Sequence, residues 1–386
     1  MRSPSVISSL TSLRFFAALA IFIHHCNGIL ITGPTEKLPL STGVGFFFVL
    51  SGYILSHVYL SSDKPLDSTK FLVYRFARVW PAHIAALVLL VSILPEQQWV
   101  KDGVNVALAV ASNVTMLHSL IPIPDYYFSF NWVSWSISTE FVFYLAFPAV
   151  VLAVGRGLKF ALWSFLAVSL VGFVIAYVCV VNGLAYYPAD SSVFNSHGIT
   201  YISPISRFQE FCIGVMANVL VRHVSFSALK SKVVSTALEF VMIAAFLLSF
   251  VTFYYWLKNV GFRTGPAMSE YFSHYFSAFF FALVVVVFAK CRGYISDLLS
   301  FRFFVTLGEI SFSFYLVHQI LLRYYISHQD QFMFISPAAK PYFLFVLSLI
   351  LSYELWQWVE KPAQSLIRKL FEKIRARTHA QPSPAL

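Results

Sequence analysis

Apolar stretches of roughly 17–25 residues recur along the whole chain, and each is as long as a helix must be to cross a hydrocarbon layer about 30 Å thick. The runs are continuous and do not alternate polar with apolar residues, which predicts membrane helices and excludes a barrel. Of the 386 residues, 58% are hydrophobic and only 11% charged, and the mean hydropathy is +0.73. Soluble domains carry about a quarter charged residues. The expected fold class is an all-α polytopic membrane protein with about ten transmembrane helices.

Candidate spans cover 13–31, 43–60, 79–95, 134–154, 158–182, 207–222, 234–257, 270–290, 303–323 and 341–360. Arg2 gives only a weak basic start and no cleavage site follows, so the first stretch reads as a retained span rather than a secretory signal. A further stretch, 103–120, is interrupted by Asn105, Ser112, Asn113, Thr115 and His118. The positive-inside rule decides how to treat it. If it does not cross and the N-terminus is inside, lysines and arginines such as Arg2, Lys64, Lys70, Arg75, Arg78 and Lys230 favour the inner side by about three to one. If it crosses, that bias reverses or weakens. Both termini are therefore expected in the cytoplasm, and residues 96–133 form an outer loop with a re-entrant or surface helix. The net charge of +10 sets orientation here and does not point to nucleic acid.

Two units are expected: 1–365 within the membrane, and a basic tail, 366–386. Arg368, Lys369, Lys373, Arg375 and Arg377 make that tail a basic amphipathic helix on the inner leaflet. No second domain is expected after it. Cys26, Cys179, Cys212 and Cys291 have no metal or redox spacing and read as small buried apolar residues. No metal site, internal repeat, low-complexity tract or nucleotide-binding loop is evident.

Polar residues within the spans carry the functional signal. Arg14 and His25 are 11 residues apart, about three turns plus 20°, so they share one helix face about 16 Å apart. Burying an arginine and a histidine in a membrane is costly and marks a functional pathway. Measured from the span ends, His25, Glu140 and His318 fall in the outer half and Ser51 near the middle. Ser136, Glu140 and Tyr144 recur every four residues on one face. Arg14, Arg75 and Arg78 lie toward the inner side. A histidine beside a carboxylate suits general base work, and the expectation is that Glu140 orients His25. Arginines at the inner face suit phosphate groups.

Bland alternatives stand beside these. His318 and Ser51 also fit interhelical hydrogen bonding, and Arg75 and Arg78 fit positive-inside anchoring. Glu210 pairs with Arg207 one turn away, a structural role. His24 points about 100° away from His25 and outside the site. His57, His83 and His118 receive no role. The aromatic residues, 18% of the chain, read as lipid-facing or interfacial.

Taken in order, the motifs resemble those of the acyltransferase-3 family of membrane acyltransferases. They are Arg14 with His25; the run Phe47 to Tyr53; Arg75, Arg78 and Pro81; Trp135, Ser136, Glu140, Phe143 and Tyr144; Arg207, Glu210, Phe211 and Gly214; Ser313 to His318; and Glu360 to Pro362. The resemblance runs from about residue 8 to 365, with Tyr74 where the family often has a basic residue. It implies transfer of an acyl group, most often acetyl, from cytoplasmic acyl-CoA to a hydroxyl of an extracytoplasmic or membrane-associated glycan, at the inner membrane and without metal. Some relatives carry an added esterase-like domain. This chain is expected to act alone or with a separate partner.

On that reading His25 accepts the acyl group or deprotonates the acceptor. Glu140 and Arg14 complete the catalytic set, and Arg75 and Arg78 hold the acetyl-CoA phosphates. Ser51, Ser136, Tyr144 and His318 contact substrate. The rival from another class is a transporter or flippase of a glycan precursor, for which intramembrane charge is also typical. A non-carbohydrate small molecule or lipid acceptor stands as a second enzyme reading.

Overall fold

The computed structural model describes residues 7–60, 65–222, 224 and 231–380. Arg2, Lys64 and Lys230, which entered the orientation count, lie outside them, as do the first six residues and 381–386. Among the described residues the chain is helical with no sheet. Its helices are α1 Ser8–Cys26, α2 Gly43–Tyr59, α3 Ser68–Ile93, α4 Val106–Val114, α5 Pro124–Tyr127, α6 Trp135–Gly155, α7 Leu158–Val181, α8 Pro204–Val221, α9 Lys232–Thr264, α10 Pro266–Lys290, α11 Tyr294–Leu299, α12 Arg302–Ser327, α13 Lys340–Leu355 and α14 Lys361–Ala380.

Nine of these, among the described residues, are long and apolar enough to cross a membrane. The expected tenth is α8, which is long enough but carries Ser206, Arg207, Gln209, Glu210 and Asn218, all buried within the bundle. The stretch 103–120 does not form a spanning helix: α4 has nine residues, about 14 Å of rise.

Three boundaries differ from the apolar-window reading. α3 starts at Ser68 rather than near 79, because the Asp67 side chain accepts from Lys70 N at 2.9 Å and caps the helix. Arg75 and Arg78 therefore project from a helix and not from a loop. α13 and α14 run on through a π turn at Trp356–Glu360, so the expected 365/366 boundary falls inside α14. The tail helix is not simply laid on a surface. Arg375 reaches Asp67, and Glu372 pairs with Lys70 at 2.6 Å and accepts from the Tyr74 hydroxyl at 2.7 Å.

Glycines set the tightest crossings. A Cβ at Gly308 would sit 2.0 Å from the Thr11 carbonyl oxygen, and one at Gly214 would sit 1.9 Å from that of Val49. Close backbone approach of this kind is how membrane helices pack without a hydrophobic driving force between them. Thr11 lies in the first turn of α1 and Gly308 in the second turn of α12, and His25 near the end of α1 meets His318 further along α12. The two helices are therefore parallel neighbours over about 15–20 Å.

The segment before α6 folds over that helix instead of standing clear of it. Ser138 donates to the Met116 carbonyl at 2.9 Å and bonds the Ser119 hydroxyl at 2.7 Å. Met116 and Phe130 hold left-handed backbone, φ 57° and 56°, at a cost of about 1–3 kcal/mol each. Ser138 fixes the first, and Arg323, donating to the carbonyls of Phe130 and Gln98, fixes the second. His83 and His118 are buried here and stacked at 6.2 Å, with His83 Nε2 donating to the Asn113 carbonyl at 3.0 Å. Contrary to the expectation for aromatic residues, many are core. Phe48, Phe71, Phe143, Phe147 and Phe211 are fully buried and pack as one cluster. The four cysteines are free and buried.

Candidate active site

His25 lines a chamber of about 480 Å³ at the end of the bundle where α1 finishes. Its Nδ1 lies 2.9 Å from His318 Nε2 on α12. His318 Nδ1 in turn lies 3.1 Å from the Phe314 carbonyl oxygen. A carbonyl can only accept, so His318 Nδ1 carries the proton and the neutral ring offers its Nε2 as acceptor. His25 Nδ1–H must then donate to it, which leaves His25 Nε2 with a free lone pair. His318 is 1% exposed and does not line the chamber, so it orients His25 from behind. Rings of Phe22, Phe314 and Tyr315 pack around it.

Glu140 does not sit beside His25. Its Oε1 accepts from the Tyr144 hydroxyl at 2.6 Å, with Ser51 facing the same hydroxyl. Glu140 shares a separate cavity of about 30 Å³ with Arg14 and Ser136. Arg14 lies about 16 Å below His25 on α1, so Glu140 is far deeper than its distance from the span end suggested. The reason is the overlying segment 96–133, which sinks the first turns of α6 beneath the chamber. Tyr315 and Val44 line both cavities. The Tyr315 hydroxyl bonds Ser136 at 2.8 Å and the Val133 carbonyl at 3.1 Å.

Further from the chamber, Arg78 pairs at 2.8 Å with Glu360, whose side chain is fully buried. Ser313 donates to the other Glu360 oxygen at 2.9 Å. Arg75 lies over the Phe71 ring, and its buried Nε has no hydrogen-bond partner among the described residues. Arg368 of α14 lies over Tyr74. Arg207 and Glu210 pair at 3.0 Å, buried, as the spacing indicated. Arg207 is sandwiched between Phe48 and Tyr201 at 5.3 and 4.8 Å.

The structure thus joins His25 to His318 and groups Arg14, Glu140, Ser136, Tyr144 and Ser51 on a second level. Arg75 and Arg78 form a third. His24, expected outside the site, is exposed and lines the same chamber. Sequence reasoning gave no role to Tyr315 or Glu360, although both stand inside quoted motifs. It also passed over Tyr186, His197, Glu270 and His274, which line the chamber together. The four-residue spacing of Glu270 and His274 on an apolar span was the available signal.

The chain matches a family model described as Acyltransferase domain over residues 7–356. It is 29% identical over 333 residues to Acyltransferase MdmB of Streptomyces mycarofaciens, covering 82% of this chain and 79% of that protein. Identity to O-acetyltransferase OatA of Staphylococcus aureus is 22% over 373 residues, 91% of this chain and 55% of that one. Identity to Peptidoglycan O-acetyltransferase OatA of Listeria monocytogenes is 24% over 336 residues, 82% and 49%. The chain spans about half the length of the OatA proteins. No solved structure matches it. With the family model covering nearly all of its residues and a bundle rich in apolar spans, the chain belongs to the acyltransferase-3 family and is a multi-pass membrane acyltransferase.

Proposed function

We propose that this enzyme moves an acyl group, acetyl before longer chains, from cytoplasmic acyl-CoA to a hydroxyl of an extracytoplasmic or membrane-associated glycan, in the inner membrane. The observation that carries this reading is the His25–His318–Phe314 arrangement, which leaves one imidazole lone pair in a chamber large enough for a small ligand. His25 Nε2 takes the proton of the acceptor hydroxyl as its oxygen attacks the thioester carbonyl. The new C–O bond forms, the C–S bond breaks, and the proton passes from His25 to the departing thiolate. Fixing the tautomer from behind keeps Nε2 the nitrogen that takes up the proton and then returns it.

The donor enters from the opposite end. Arg75 and Arg78 meet the CoA phosphates through their planar donor forks. Arg14 and Glu140, with Ser51, Ser136 and Tyr144, line the route that the acyl-bearing arm takes toward the chamber. His318 supports catalysis through His25 and does not itself touch substrate. The names of the OatA relatives, O-acetyltransferases, favour acetyl, and the Listeria protein is named for peptidoglycan; a glycan acceptor fits both.

The test compares base-labile acetyl on envelope and secreted glycans from cells carrying wild type, a deletion and His25→Ala. The expected result is loss of the same acetyl signal in both mutants, with His25→Ala protein at normal levels. An unchanged acetyl profile would sink the glycan reading. A transporter would leave its cargo chemically unaltered, so acetyl-CoA-dependent labelling of the acceptor separates the two classes.

A further inference from the structure

The chamber that His25 lines has a second polar wall, drawn from three parts of the chain. Tyr186 and His197 come from the segment after α7, Tyr201 from the π turn before α8, and Glu270 and His274 from α10. The Glu270 carboxylate accepts from the Tyr186 hydroxyl at 2.7 Å and from His274 Nε2 at 2.9 Å. Tyr186 has then given its proton, so its oxygen accepts from His197 Nδ1 at 3.0 Å. Through Tyr186 this carboxylate fixes the His197 ring and leaves its Nε2 as an acceptor, and it holds the His274 ring directly. Burial holds His197 down at about 4, so it is neutral at pH 7. Sinking this many titratable groups costs desolvation free energy, and the acyl-transfer step at His25 uses none of them.

Aromatic rings stand around the network. Trp132 and Tyr187 are 46% and 58% exposed at the rim, and Trp135 and Tyr254 are buried deeper. Among the described residues the lining holds one carboxylate, Glu270, one lysine, Lys258, and no arginine. An anion finds only the Lys258 ammonium, because the Arg323 guanidinium that lies over Trp132 is taken by the Phe130 and Gln98 carbonyls. A cation finds the carboxylate already taken by two donors. A lipid chain has no use for the imidazoles. Flat apolar faces beside hydrogen-bond acceptors suit a ring with a C–H face and hydroxyl edges.

We propose that this wall is a binding subsite for an uncharged sugar ring, stacked on Trp132 and Tyr187 and hydrogen-bonded through its hydroxyls to His197 and His274. Glu270 is a positioning residue, acting through His274 and through Tyr186 on His197. That the sugar is the acyl acceptor rests on the acyltransferase reading above; that a sugar binds here does not.

The test uses the full chain in lipid nanodiscs and saturation-transfer NMR with methyl β-D-glucopyranoside and methyl β-D-galactopyranoside, with glycerol as the ringless control. Wild type should saturate the ring C–H protons of at least one glycoside and leave glycerol untouched. Tyr187→Ala, at an exposed position, should weaken that glycoside about tenfold. Glu270→Gln should weaken it by about tenfold or more, with the acetyl-CoA KM unchanged. Tyr187→Ala keeps the question open to experiment if the buried variant does not fold. The proposal is overturned if wild type binds neither glycoside, binds glycerol equally, or loses nothing on Tyr187→Ala. Glycoside binding without any release of CoA from acetyl-CoA would instead refute the acyl-transfer reading and leave the subsite standing.

Discussion

Replacing His318 by alanine removes the acceptor that His25 Nδ1–H has among the described residues. A buried donor stripped of its partner loses about 1–3 kcal/mol. The ring is then free to turn or to take the other tautomer, which places a proton where the base needs its lone pair. Since about 1.4 kcal/mol is a factor of ten in rate, kcat should fall roughly 10- to 100-fold. His318 does not line the chamber and is 1% exposed, so the KM for acetyl-CoA should stay within about twofold. His318→Gln separates orientation from packing: its amide oxygen can accept from His25, and its bulk keeps Phe22, Phe314 and Tyr315 apart. Glutamine should therefore recover part of the loss, and both variants should be compared at matched thermal stability. The assay is release of CoA coupled to acetyl appearing on glycan, in purified protein reconstituted in lipid. Wild-type kcat in His318→Ala, or a glutamine variant no better than alanine, would refute the His25–His318–Phe314 hydrogen bonds as what orients the base.

Three further outcomes follow from the same geometry. Arg78→Gln strands a fully buried Glu360 carboxylate and should cost about 3–5 kcal/mol; thermal unfolding should show a large drop that the Arg78→Gln/Glu360→Gln pair mostly restores. Gly308→Ala places a Cβ 2.0 Å from the Thr11 carbonyl and should destabilise by about 1–3 kcal/mol, with activity falling as α1 and α12 separate, whereas Gly155→Ala, with open space around it, should change neither. His118 and His197 are held by burial at about 3 and about 4, below the ordinary 6.5. The unfolded chain therefore binds protons that the folded one refuses as pH falls below 6.5, so stability should decline toward pH 4 by about 1 kcal/mol per pH unit per histidine and be flat above pH 7, as followed by melting temperature against pH.

The spans were legible because the bilayer sets their length, and the Arg14–His25 face because helix geometry is local. What went unread was contact between elements. The apolar window discarded the first turns of α3 at Arg75 and Arg78, yet an Asp67 cap and the absence of any breaker before Pro81 carry the helix through them. Glu140 was set at the level of His25 by counting from the end of its span. That count assumes that each span starts at the membrane surface, and α6 starts beneath a folded segment. Aromatic residues were assigned to lipid, but Phe48, Phe143 and Phe211 fill the space between α2, α6 and α8. The span expected at 207–222 forms α8, whose Arg207, Gln209, Glu210 and Asn218 are buried inside the bundle instead of facing lipid.

The base itself shows why local reading stops short. His25 and His318 are 293 residues apart, and nothing in either span says which imidazole will face which. The Gly308 crossing decides it. By letting α12 touch the backbone of α1 one turn from its start, it sets two parallel helices in register over about 15–20 Å. That register delivers His318 Nε2 to within 2.9 Å of His25 Nδ1. The Phe314 carbonyl, one helical turn before His318, then dictates both tautomers. A residue with no side chain thus fixes, ten positions away, which nitrogen of a histidine on another helix is free to take a proton. Substitutions at Gly308 should therefore impair turnover more than their cost in stability alone explains, and Gly308→Ala assayed well below its melting temperature is where that excess would appear.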